Sequence, residues 1–254
     1  MTKTELLKNR LMEIAKSLEN SGHALALLAL GSCGMNQELM DKYSDLDFFV
    51  IVSPGFKMRY IDDLNWLESI SSSGFYFRNT ADGYKYLYKD GVFCEFAVFE
   101  ESELKNIDIP SESIVWKDKR FKESEIQFGS SLQHTRKPEP DWMLGEVLTN
   151  LFVGLCRFRR GEKLSAYKFV QNYAVDQLLQ LLRMQNPESS VKADRFDPAR
   201  RIEAANIIST NLLAEFIQGY NKTPQSALSI LRFVDEHYTI NEFIKLQIEE
   251  LAMQ

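Results

Sequence analysis

Residues 44–52 read Ser44-Asp45-Leu46-Asp47-Phe48-Phe49-Val50-Ile51-Val52, and the run stops at Ser53-Pro54-Gly55. It is rich in β-branched and aromatic side chains and is closed by turn residues, which predicts a strand. On a strand, positions 45 and 47 share a face, about 6–7 Å apart along the chain. Two carboxylates side by side repel each other and resist burial. At the head of an otherwise apolar strand they call for a counter-charge, and a hard divalent cation supplies one. Mg2+ takes one or two carboxylates, keeps several waters and accepts substrate phosphate oxygens as its remaining ligands.

Upstream, His23 to Leu30 (HALALLAL) is a short apolar run that reads as a buried strand and leads straight into Gly31-Ser32. A strand that ends in Gly-Ser and opens a short helix, here over about 33–40, presents backbone N–H groups to an anion. Gly31 lets the backbone approach a phosphate, the Ser32 hydroxyl adds a donor, and Ser44 is a second candidate donor. Twelve residues separate Ser32 from Asp45. Downstream, Glu95 stands alone inside Val92-Phe93-Cys94-Glu95-Phe96-Ala97-Val98-Phe99. Buried without a partner it would be costly. If that strand lies beside 46–52, Glu95 joins Asp45 and Asp47. Singly, each feature also reads as a turn, a solvated strand edge or an outward-facing acid; their order and spacing favour a joint phosphate and metal site.

The rest of the chain supplies the scaffold. Leu7, Leu11, Ile14, Ala15 and Leu18 predict a helix over 4–20, ended by Asn20-Ser21-Gly22. Met58, Ile61, Leu64, Leu67 and Ile70 predict one amphipathic helix over 58–70. Strands are expected over 75–77, 84–88 and 92–99, with Ala81-Asp82-Gly83 and Asp90-Gly91 as hairpin turns. Residues 101–140 are polar and carry Pro110, Pro138 and Pro140. Helical patterns follow over 142–160, 163–184, 198–218 and 224–253, the last with a break. The expectation is an α+β fold, with an α/β part over 1–110, a linker over 111–140 and a helical part over 141–254. Arg157, Arg159, Arg160, Lys163 and Lys168 cluster about Gly161. Lys163, Tyr167 and Lys168 are the candidate nucleotide contacts there, against the alternative of a solvated helix junction. Arg195, Arg200 and Arg201 are weighed in the same way.

Composition narrows the function. Of 254 residues, 44% are hydrophobic and 26% charged, ordinary for a globular protein and unlike a disordered chain. No run approaches the roughly 20 apolar residues of a membrane span, and the charged start MTKTELLKNRLMEIAKSLE lacks a secretory apolar core. A cytoplasmic protein without a membrane partner is expected. Three scattered cysteines and three scattered histidines point to neither a disulfide framework nor a zinc site. A net charge of −6 argues against a nucleic-acid binder, whereas a nucleotide needs only a local positive pocket.

Leu30-Gly31-Ser32, a short helical stretch, Ser44-Asp45-Leu46-Asp47-Phe48-Phe49-Val50 and the later lone acid resemble the polymerase-β-type nucleotidyltransferase superfamily over roughly residues 23–99. Within it the chain looks most like the bacterial antibiotic nucleotidyltransferases, the lincosamide group first and the aminoglycoside group second. Asp197-Pro198-Ala199-Arg200-Arg201 loosely matches a helix start of the former. The resemblance implies a mixed β-sheet with flanking helices and a C-terminal α-helical bundle. It also implies that Asp45, Asp47 and Glu95 hold metal, two Mg2+ ions, with Glu95 also the base. ATP or another NTP would be the co-substrate and a small-molecule hydroxyl the acceptor. A homodimer is a further expectation of the resemblance. The alternatives left open are an aminoglycoside or protein acceptor, and a non-catalytic nucleotide-binding protein of the same fold.

Overall fold

A computed structural model describes residues 1–30, 40–106, 114–121, 139–187 and 199–254. The chain divides into two compact units, Met1–Arg136 and Lys137–Gln254. The protein is α+β, with a mixed six-stranded sheet in the first unit and helices in both. Among the described residues no helix is long and apolar enough to cross a membrane.

Helix α1 (Lys3–Ser21) begins where its sequence says it should. Thr2 Oγ1 accepts the Glu5 N–H at 3.2 Å and Glu5 Oε2 accepts the Thr2 N–H at 2.7 Å, a reciprocal cap. Its buried face, Leu7, Leu11, Ile14 and Leu18, packs on one side of the sheet. The strands are β1 (Ala24–Leu30), β2 (Leu46–Val52), β3 (Ser73–Phe77), β4 (Gly83–Tyr88), β5 (Phe93–Glu100) and β6 (Ile114–Lys117), in the order β3-β4-β5-β2-β1-β6. β2 and β5 run parallel; every other pairing is antiparallel.

Alternation in β2 sorts its side chains. Leu46, Phe48 and Val50 are buried in the α1-side core, where the Phe48 and Phe96 rings stack at 5.3 Å. Phe49 and Ile51 join a smaller core on the other face with Leu28, Phe99, Leu104 and Phe121. Asp45 and Asp47 lie on this second face by the same period of two, half-buried at the strand's start. The apolar end of the face is covered, while the carboxylates sit where they keep solvent.

Three sequence expectations are corrected. The helix expected over 58–70 is two short ones, α2 (Lys57–Asp62) and α3 (Asn65–Glu68). Asp63 between them is extended (φ −127°, ψ 107°), and its Oδ1 accepts the Asn65 N–H at 2.9 Å to restart the chain. The stretch read as linker carries β6, which pairs with β1. The helix expected over 198–218 is broken in its described part into a 3-10 turn (Glu203–Ala205) and α7 (Thr210–Phe216). Asn206 there takes a left-handed conformation (φ 52°), and Ser209 caps α7 by accepting the Leu212 N–H.

In the second unit α4 (Pro140–Arg159) is followed by α5 (Lys163–Tyr167), a π-helical stretch (Lys168–Ala174) and α6 (Val175–Gln185). A Cβ on Gly154 of α4 would lie 2.7 Å from Val170 Cγ2, so the small residue lets α4 approach the π stretch closely. The 224–253 pattern resolves into α8 (Thr223–His237) and α9 (Glu242–Met253).

Candidate active site

The parallel register makes Asp47 and Glu95 direct partners across β2 and β5. In-register residues on neighbouring strands are about 4.8 Å apart and share a face. The row continues both ways: Leu30 on β1 faces Asp47, Lys85 on β4 faces Glu95, and Phe77 on β3 faces Lys85. Five strands thus contribute Leu30, Asp47, Glu95, Lys85 and Phe77 to one transverse line. Asp45 stands two residues before Asp47 on the same face. Glu95 is exposed, so the cost of burying it does not arise.

Local interactions fix these positions. Asp41 Oδ1 accepts the Tyr43 N–H at 2.8 Å, and the buried Ser44 accepts the Asp41 N–H on Oγ at 3.0 Å. Ser44 is therefore built into the turn that launches β2 and sets where Asp45 begins. Asn79, just beyond β3, donates from Nδ2 to Glu95 Oε1 at 2.8 Å. β1 ends at Leu30 opposite Asp47, so the chain leaves the sheet beside the acids. Gly31, Ser32 and the short helix expected after them lie outside the described residues.

The donor set is carboxylate oxygen throughout, which suits a hard cation such as Mg2+. Among the described residues no group of three His, Cys, Asp or Glu is gathered closely enough to hold a metal ion. What the fold supplies is the Asp47 and Glu95 pair, with Asp45 alongside. That matches the one or two carboxylates magnesium takes when waters and phosphate oxygens complete its shell.

The aromatic residues of β3 and β4 split by face. Tyr86 and Tyr88 are fully buried on the α1 side, with Tyr76 stacked on Tyr86 at 5.6 Å. Burial and the Glu68 carboxylate push the Tyr86 hydroxyl far above its usual range. Phe75 and Phe77 lie on the face of the acids, with ring centres 5.9 Å apart.

In the second unit, Lys163 and Lys168 are exposed and Tyr167 is half-buried. A recess of about 460 Å3 is lined by Lys163, Ser165, Lys168 and Tyr220, and the π-helical widening starts at Lys168. The arginines beside it already have partners. Arg157 donates to Ser165 Oγ at 2.7 Å and lies over the Phe169 ring, Arg159 donates to the Leu251 and Ala252 carbonyls at the end of α9, and Arg160 pairs with Glu162. Arg200 and Arg201 are exposed, and Arg195 lies outside the described residues.

Sequence reasoning missed Asn79 and Lys85. Lys85 had a signal, its alternation on β4; Asn79 sits in a turn and had none.

No protein-family model and no curated protein matches the chain. Among solved structures, an aminoglycoside 6-adenyltransferase from Bacillus subtilis aligns over 100% of this chain and 92% of that one, at 11% identity and a TM-score of 0.32. A likeness of that size carries no argument about what this chain does.

Proposed function

We propose that this protein is a Mg2+-dependent nucleotidyltransferase that moves a nucleoside monophosphate, AMP from ATP, onto a hydroxyl of a small molecule. The observation that carries the reading is the in-register placement of Asp47 and Glu95 on adjacent parallel strands, with Asp45 on the same face. A lincosamide-type antibiotic is the first acceptor to test, and antibiotic resistance the role that would follow.

Asp47 and Glu95 would hold magnesium, with Asp45 drawn in as the ion binds, and the ion would supply positive charge to the triphosphate oxygens. Glu95 takes the proton of the acceptor hydroxyl. The acceptor oxygen bonds to the α-phosphorus, the bond from that phosphorus to the β-bridging oxygen breaks, and pyrophosphate carries away the electron pair. Asp47 and Asp45 keep the nucleotide in line; positioning and charge do most of the work in such a transfer. Gly31 and Ser32, with Ser44, remain the candidate phosphate donors from the sequence. Lys163 and Lys168 remain the candidate nucleotide contacts of the helical unit, on the charge and exposure of their recess, with Tyr167 a candidate from the sequence alone.

The test is pyrophosphate release by the full chain with ATP and Mg2+ against a panel of lincosamides, aminoglycosides and a protein substrate. Mass spectrometry then looks for one added AMP. Transfer to any acceptor supports the reading and names the substrate. ATP binding without release on any of them favours a nucleotide-binding protein, and absence of both sinks the proposal.

A further inference from the structure

We infer that Asn79 is a positioning residue for Glu95 and thereby sets the affinity of the acid pair for its divalent ion. This rests on the reading of Asp45, Asp47 and Glu95 as magnesium ligands.

Glu95 is exposed, and an exposed glutamate samples many rotamers. Its Oε1 is nevertheless held by Asn79 Nδ2 at 2.8 Å, and Asn79 is only 8% exposed. A buried amide thus holds one oxygen of an exposed carboxylate in a fixed place. The amide is neutral, so it orients Glu95 without adding to the positive charge of Lys85, which faces Glu95 from β4.

The turn that carries Asn79 is itself locked. Thr80 donates its N–H to the Gly83 carbonyl at 3.4 Å, and Thr80 Oγ1 accepts the Asp82 N–H at 3.2 Å. Arg78 donates to the carbonyls of Thr80 and Ala81. The Asp82 carbonyl accepts the Val98 N–H at 2.7 Å, tying the turn to β5, the strand that bears Glu95. Lys57 then pairs with both Asp82 and Glu103 at 2.7 Å, with Lys57 and Asp82 at 15% and 13% exposure. Gly83 closes the arrangement: a Cβ there would stand 1.8 Å from the Phe96 carbonyl oxygen. Asn79 is therefore delivered to Glu95 by a frame tied within itself and held from outside at Val98, Lys57 and Phe96. Such frames are how outer groups fix metal ligands, and their removal costs about 10–100-fold in metal affinity.

The experiment titrates Mn2+, as a magnetic substitute for Mg2+, into the full chain with a non-hydrolysable ATP analogue, and reads free Mn2+ by electron paramagnetic resonance. Asn79→Leu should bind Mn2+ about 10–100-fold more weakly, and should cost nothing further on a Glu95→Gln background. Should Asn79→Leu not fold, Asn79→Ser, whose side chain is too short to bridge, takes its place with the same expectation. Unchanged affinity, or an equal loss with and without Glu95, overturns the inference and leaves the proposed function standing. Failure of the wild type to bind Mn2+ with nucleotide present overturns the proposed function, and this inference with it.

Discussion

Asp47 and Glu95 face each other across the only parallel pairing in the described sheet, β2 with β5. Neither is replaceable by its neighbours, because a shift of one residue in either strand would turn its carboxylate to the α1 side. Asp47→Asn and Glu95→Gln keep shape and remove charge. Each should lower nucleotidyl transfer by at least about 100-fold, more than 2.7 kcal/mol of transition-state stabilisation, with the thermal unfolding midpoint nearly unchanged. Pyrophosphate release measures the first and calorimetry the second; wild-type rates in both variants would remove these residues from the site.

Gly83→Ala tests the close approach of β4 to β5. Its Cβ would lie 1.8 Å from a backbone oxygen, where no side chain can yield. The expected loss is about 3 kcal/mol or more, read as a lower urea midpoint.

Lys57→Met removes the cation between Asp82 and Glu103. Burial acts against the charged lysine, yet its hydrogen bonds to both carboxylates outweigh it and hold its pKa above the usual 10.5. The stabilisation is therefore complete below pH 10.5 and declines as pH rises through the folded value. At neutral pH the substitution should cost about 2–3 kcal/mol, reduced from a fully buried pair because Glu103 is partly exposed. The wild-type advantage in chemical unfolding should fade in strong alkali.

Glu68 gives the opposite pH signature. Burial favours its neutral form, but Oε2 accepts the Ser73 N–H at 3.2 Å and Oε1 the Tyr86 hydroxyl at 2.8 Å, and the net effect is a pKa below 4.5. Its contribution is present above pH 4.5 and is lost as pH falls through the folded value. Urea midpoints of the wild type and Glu68→Gln should differ at neutral pH and converge in acid.

Lys163→Ala should raise the ATP concentration needed for half-maximal transfer by about five- to tenfold with little change in kcat, as for a contact that holds a phosphate equally in ground and transition states. Steady-state kinetics against ATP decide it, and unchanged nucleotide kinetics would remove Lys163 from the site.

Much of this was legible in the sequence wherever local pattern and tertiary demand agree. β-branched and aromatic runs bounded by turn residues gave both strands, and the period of two gave the shared face of Asp45 and Asp47; the pairing that sets Glu95 beside Asp47 entered as a condition. Where tertiary context decides, pattern misled. Leu64 and Leu67 continue the spacing of Met58 and Ile61, yet Met58 is exposed and the backbone breaks at Asp63 between the two pairs. Ile114-Val115-Trp116-Lys117 is too short to announce itself and becomes a strand because the edge of β1 is there to receive it. Asn79 could not be found at all, since its importance lies in a hydrogen bond to a residue on another strand.

β6 has a practical corollary. β1 is Ala24-Leu25-Ala26-Leu27-Leu28-Ala29-Leu30, and β6 pairs with Ala26, Leu27 and Leu28 along one edge of it. Anyone who severs the polypeptide near residue 110 to isolate the first unit would bare that edge of a wholly apolar strand with its amides unsatisfied, a template for clumping. A fragment that stays dispersed has to run through Phe121, so that the last strand travels with the sheet it seals.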